Sequence, residues 1–146
     1  MLPMARALGL GVTAWAPLAA GLLTGKYSAS ERGKGRLDLP DWAISEDERG
    51  FAKKFDSIAH RIGRTPSQVA LNWVRQQEGV VIPIVGTTSP SQMKENLGCL
   101  DFQLTSDQLN QLGDMSRIDL GFPYEFLGSK DVKGFIFRDT FDLIDK

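Results

Sequence analysis

The apolar positions along this chain switch between a helical period and short continuous runs. Leu2, Met4, Ala5 and Leu8 share a side, which predicts the end of a helix over 2–9 with Gly9 as its C-terminal cap. Leu10 to Trp15, with β-branched Val12 and Thr13, predicts a short strand. Pro17, Gly21 and Gly25 then impose a loop. Residues 28–44 are polar, charged and Gly-containing, and predict a long mobile loop. Ser45 followed by Glu48 is a capping box, which opens a helix through about residue 62. Phe51, Phe55, Ile58, Ala59 and Ile62 form its apolar stripe, and Gly63 stops it. Thr65 and Pro66 start the next helix, with Val69, Leu71, Trp73 and Val74 partly on one face and Gly79 at its end. Val80 to Val85 is a near-continuous apolar run and predicts a strand buried on both faces. A helix over 90–98 follows, and Leu104-Thr105-Ser106 opens an amphipathic one carrying Leu109, Leu112 and Met115. Residues 118–146 read as irregular and aromatic-rich, with Phe122, Tyr124, Phe126, Phe135, Phe137 and Phe141.

Strands alternating with helices argue for parallel βα units. Two clear strands are present, and a two-stranded parallel sheet cannot bury both of its faces by itself. The pattern is therefore that of a piece of a larger α/β assembly.

Composition narrows the function. The 146 residues suffice for one domain with a sizeable core. A net charge of −1 leaves no electrostatic footprint for nucleic acid or for an anionic membrane. The apolar runs are short and broken by Gly or Pro, so no segment reads as a membrane span, and the start lacks the apolar stretch of a signal peptide. One cysteine, Cys99, permits no internal disulfide and fits the reducing cytoplasm. One Cys and one His make no soft-metal site.

The chemistry-bearing stretch is Ile82 to Asn96, a strand that ends at Gly86 and turns through Thr87, Thr88 and Ser89 into a helix opened by Pro90. Ser89 or Thr88 can cap that helix, and a helix start with free N–H groups and hydroxyls suits phosphate. Gln92 and Asn96 share a face, with Glu95 between them. An ordinary well-capped turn explains the same residues. Trp15 closes a strand and offers either a flat face to a ligand ring or a core side chain. Lys26 can counter a pyrophosphate, and Arg36 can clamp a phosphate, although both types are ordinary in solvated loops. His60 reads as structural or surface-exposed, with no Asp or Glu spaced to orient it and no Ser or Cys paired with it. Cys99 reads as a packed thiol.

Taken together these segments resemble the aldo-keto reductase superfamily, NADP(H)-dependent oxidoreductases built on a (β/α)8 barrel. Gly9-Leu-Gly-Val-Thr-Ala-Trp15 through Gly25-Lys26-Tyr27 is similar to that family's seventh strand and following loop. Arg64-Thr-Pro-Ser-Gln-Val-Ala-Leu-Asn-Trp73-Val resembles its seventh helix, and Ile82 to Asn96 its eighth strand and nucleotide-binding helix. Leu120-Gly-Phe-Pro-Tyr-Glu-Phe-Leu127 resembles a C-terminal extension of some members.

The resemblance implies an incomplete barrel: an α/β fold with two parallel strands and four to five helices, residues 1–117 as barrel and 118–146 as extension. It implies that Trp15 stacks on the nicotinamide and that Pro17, Leu18 and Gly21 line the pyrophosphate through backbone, with Lys26 adding charge. Gly86, Thr88 and Gln92 would meet the adenosine phosphate, and Glu95 and Asn96 the adenine. Arg36 matches a loop arginine of the channel-β-subunit-like branch, inside a loop that otherwise diverges. Such a site sits at the C-terminal ends of barrel strands. Some branches carry Lys where Gly86 stands and Arg where Gln92 stands, charges that favour the 2′-phosphate of NADPH. Without them the cofactor is NADP(H) or NAD(H).

The first six strands have no counterpart here, and with them go the family's catalytic Asp, Tyr, Lys and His. Neither Tyr27 nor Tyr124 stands in the tyrosine's place, so no catalytic residue is assigned. The implied function is the cofactor-binding part of an oxidoreductase that reduces small aldehydes or ketones, inactive as an isolated chain. The alternative is a non-enzymatic half-barrel that self-associates or pairs with a partner half.

Overall fold

The computed structural model describes residues 1–26, 44–138 and 140. These residues form two compact units, Met1–Met115 and Ser116–Lys146.

In the first unit, α1 (Leu2–Ala7) leads into β1 (Val12–Ala14). A tight 3-10 segment, Ala19–Thr24, follows. Then come α2 (Glu46–Ile62), α3 (Pro66–Arg75), β2 (Val81–Pro83), α4 (Pro90–Leu97) and α5 (Ser106–Met115). β1 and β2 pair in parallel with Val12 opposite Val81 and Ala14 opposite Pro83. Among its described residues the unit is thus α/β, with two parallel strands and five α-helices.

Local chemistry sets most of the helix starts. The Ser45 side chain accepts from the Glu48 backbone while Glu48 accepts from the Ser45 backbone at 2.8 Å, the predicted capping box. Thr65 with Gln68, and Thr105 with Gln108, close the same reciprocal pair. Ser89, rather than Thr88, caps α4. Gly63 ends α2 in the left-handed region, at φ +75°.

Phe55, Ile58 and Ala59 of α2, Val69 and Ala70 of α3, and Leu104 and Leu112 form the buried core. The centre of the unit is α3. Its Asn72 is fully buried and donates to the Phe102 carbonyl at 2.8 Å. Gln76, just past its end, uses its side chain as a second backbone: it accepts from Leu104 N at 2.8 Å and donates to Leu104 O at 3.3 Å.

Three expectations change. α3 stops at Arg75 instead of running to Gly79: Gln77 N turns back to Val74 O at 3.3 Å, and the Gln77 side chain donates to the Trp73 carbonyl at 2.9 Å; Gly79, at φ +94°, serves the turn into β2. β2 is not buried on both faces: Ile82 is 54% and Ile84 50% exposed. α3 packs on the sheet from one side, and no described element covers the other. The second unit is not irregular. It holds two short helices, α6 (Tyr124–Gly128) and α7 (Lys130–Phe137), the latter capped by Ser129, and Phe122 lies against Phe126. The loop expected over 28–44 lies, except for Ile44, outside the described residues, as do Tyr27, Arg36 and Phe141.

Candidate cofactor site

Two parallel neighbours end on the same edge of their sheet, so the segments that leave them are neighbours too. Ile84 N donates to Ala14 O at 2.9 Å, which fastens the two strand ends together. Trp15 follows Ala14 directly and is 86% exposed. Gly86, also exposed, follows Val85 on the other strand.

The loop after Trp15 is held in an unusual backbone. Ala16, Ala19 and Ala20 have φ of 52°, 48° and 55°, and Gly21 has φ 102°. Each alanine there costs roughly 1–2 kcal/mol, a strain that persists only where the surroundings over-determine it. Leu18 and Leu23 pack against the core, and Thr24 Oγ1 donates to Gly21 O at 2.7 Å. The Leu18 side chain is thus turned to the core. Pro17 is half-buried beside it.

Around the start of α4 the polar groups already partner one another. Thr88 donates to Gln92 Oε1 from both N and Oγ1, each at 3.0 Å. Gln92 N donates to Ser89 Oγ at 3.3 Å, and Ser89 and Ser91 hydroxyls lie 2.9 Å apart. A phosphate here must exchange with Gln92 for Thr88. Glu95 is exposed, while Asn96 is buried at 7% exposure, so the two residues expected at adenine differ in access. The Glu95 carbonyl accepts from Gln68 Nε2 at 2.8 Å, which ties α4 to the start of α3.

Lys26 and Glu95 border the same depression. With Thr24, Gly25, Asp56, His60, Thr65 and Pro66 they line it, an open space of about 460 Å³. His60 is surface-exposed as expected, but it does have a partner: its Nε2 lies 3.4 Å from Asp56 Oδ2, one helical turn earlier on α2. The signal was the i,i+4 spacing of Asp56 and His60. Cys99 is buried, and burial pushes its thiol up from its ordinary value, the signature of a packed thiol rather than a nucleophile. Among the described residues no three His, Cys, Asp or Glu stand together to hold a metal, and no helix is long and apolar enough to cross a membrane.

The model of the Aldo/keto reductase family matches residues 1–117, most of the chain. The chain belongs to the aldo/keto reductase family. It is 35% identical over 115 residues to "Uncharacterized oxidoreductase YrpG" of Bacillus subtilis (strain 168), covering 79% of this chain and 35% of that protein. It is 32% identical over 128 residues to "Putative voltage-gated potassium channel subunit beta" of Schizosaccharomyces pombe, covering 79% of this chain and 36% of that one. The chain thus spans about a third of the length of these curated relatives. Within this aldo/keto reductase segment, Trp15, the strained loop and the start of α4 occupy one end of the strand pair.

Proposed function

We propose that this chain is the cofactor-holding portion of a (β/α)8 barrel, with residues 1–117 in the barrel and 118–146 as its extension. The whole protein reduces aldehydes or ketones with a nicotinamide cofactor. The observation that carries this reading is the exposed Trp15 ring at the end of β1, fastened by one strand pair to the segment that opens α4.

The residues fit the group. An indole 86% exposed at a strand end supports the platform reading. Pro17, Leu18 and Gly21 offer backbone, and Lys26 adds positive charge. Gly86, Thr88 and Gln92 take the adenosine phosphate, and Glu95 takes the adenine with Asn96 behind it. Arg36 belongs to the reading through the resemblance alone. When bound, the nicotinamide supplies the hydride. This chain binds and orients; the proton donor to the carbonyl comes from an upstream segment carrying the family's Asp, Tyr, Lys and His. NADPH is the expected cofactor, with NADH not discriminated against by charge at Gly86 or Gln92.

Calorimetric titration of the chain with NADPH and NADH tests this. Trp15→Ala weakens binding by roughly tenfold, the loss of one aromatic stacking partner. A folded chain that binds neither nucleotide overturns the reading.

The bare sheet face supports a second reading, a half-barrel that pairs with a second copy. Leu10, Trp15, Ile82 and Ile84 are all at least half exposed. A light-scattering mass of twice the chain, with a cooperative melt and no nucleotide binding, would favour it.

A further inference from the structure

The depression beside Lys26 contains a carboxylate that the cofactor reading does not use. Asp56 sits mid-helix on α2, with a side chain 20% exposed. One oxygen, Oδ2, faces His60 at 3.4 Å. The other faces the loop that leaves β1. A methyl group placed on Gly25 would stand 3.1 Å from Asp56 Oδ1 and 3.3 Å from Pro66 Cγ. Gly25 is itself left-handed, at φ +82°. The loop backbone therefore passes, in a conformation suited to glycine, through a gap between the Asp56 carboxylate and the first residue of α3. Lys26 is the next residue and lines the same depression, with Glu95 on its α4 side.

We propose that Asp56 is a positioning residue for the cofactor loop: with one oxygen it holds the loop at Gly25, and with the other it is braced by His60. It thereby sets the direction in which Lys26 leaves the loop. The proposal rests on the cofactor reading for its purpose, and on the geometry at Gly25 for its mechanism. The strained residues upstream give this fastening a task. Ala16, Ala19 and Ala20 store unfavourable backbone conformations, and a loop under strain needs an anchor at each end. The Leu18 and Leu23 side chains in the core supply one. Asp56 supplies the other, where the chain emerges towards the nucleotide.

The test uses the full chain, Asp56→Asn, which keeps shape and removes charge, and His60→Gln, which removes the brace alone. Three quantities are read: hydrogen exchange of the peptide 18–26, the NADPH dissociation constant, and the melting temperature. Asp56→Asn is expected to speed exchange in 18–26 by about fivefold or more and to raise the NADPH constant by a similar factor. Exchange in α3 should stay unchanged. His60→Gln should do the same to a smaller extent. Unchanged exchange in 18–26 overturns the proposal outright. Faster exchange with unaltered NADPH binding overturns the role in the cofactor site. A wild-type chain that binds no NADPH brings down the cofactor reading instead, and the exchange measurement still decides whether Asp56 holds the loop.

Discussion

Asn72 shows how much a single side chain can carry. Its amide donates to the Phe102 carbonyl at 2.8 Å, and its oxygen accepts from Arg75 Nη2 at the same distance. Replacing it by Ala leaves the Phe102 carbonyl and Arg75 Nη2 only their long contact with each other, at 3.5 Å, in a region where Arg75 Nε already has no partner. Asn72→Ala is expected to destabilise the fold by about 2–3 kcal/mol. A lower urea midpoint at constant slope would show it. Nothing near Asn72 in the chain announces this role, because the partner lies 30 residues on. Trp15 is the opposite case. Its place at a strand end was legible from the sequence, but its access to solvent was not, since a buried and an exposed tryptophan look alike in a string of letters. Three alanines at positive φ left no trace at all, for alanine gives no hint of the left-handed region.

At the scale of elements, the starts of helices were legible and their ends less so. Caps are local: Ser45 finds Glu48 three residues away, and Thr65 finds Gln68. α3 instead ends without a glycine, at Gln76, ahead of Gly79. The second unit was missed as irregular although its helix α7 starts on Ser129, a cap of the same kind. The Ser45–Glu48 box also has a pH signature. The Ser45 backbone N–H, and then its hydroxyl, hold the Glu48 carboxylate below its ordinary 4.5. Its contribution is therefore complete above pH 4.5 and is lost as pH falls through the lowered folded value. Helicity of α2, followed by circular dichroism or amide shifts, should decline over that acid range. Glu48→Gln should flatten the decline while leaving neutral pH little changed.

For the whole molecule, the count of strands said more than any motif. Two strands and a run of helices meant an incomplete sheet, and the structure leaves Ile82 and Ile84 half exposed with no described element over them. Changing Ile82 to Lys should therefore cost little in melting temperature, because the site is open, yet reduce self-association measured by sedimentation. A core change such as Val69→Ala would do the reverse, lowering the melting temperature by the equivalent of about 1–2 kcal/mol. The strand pairing has one more consequence, for the order of events in folding. β1 and β2 meet across roughly 70 residues, a closure whose entropic toll must be met before any ladder bond is made. The capped helices between them close over three or four residues and gain their first bonds early. In a time-resolved experiment the helical signal should rise ahead of strand protection. The end of the strand pair that carries Trp15 and leads into α4 would thus be the last part to take shape, and the first to dissolve when the chain is stressed.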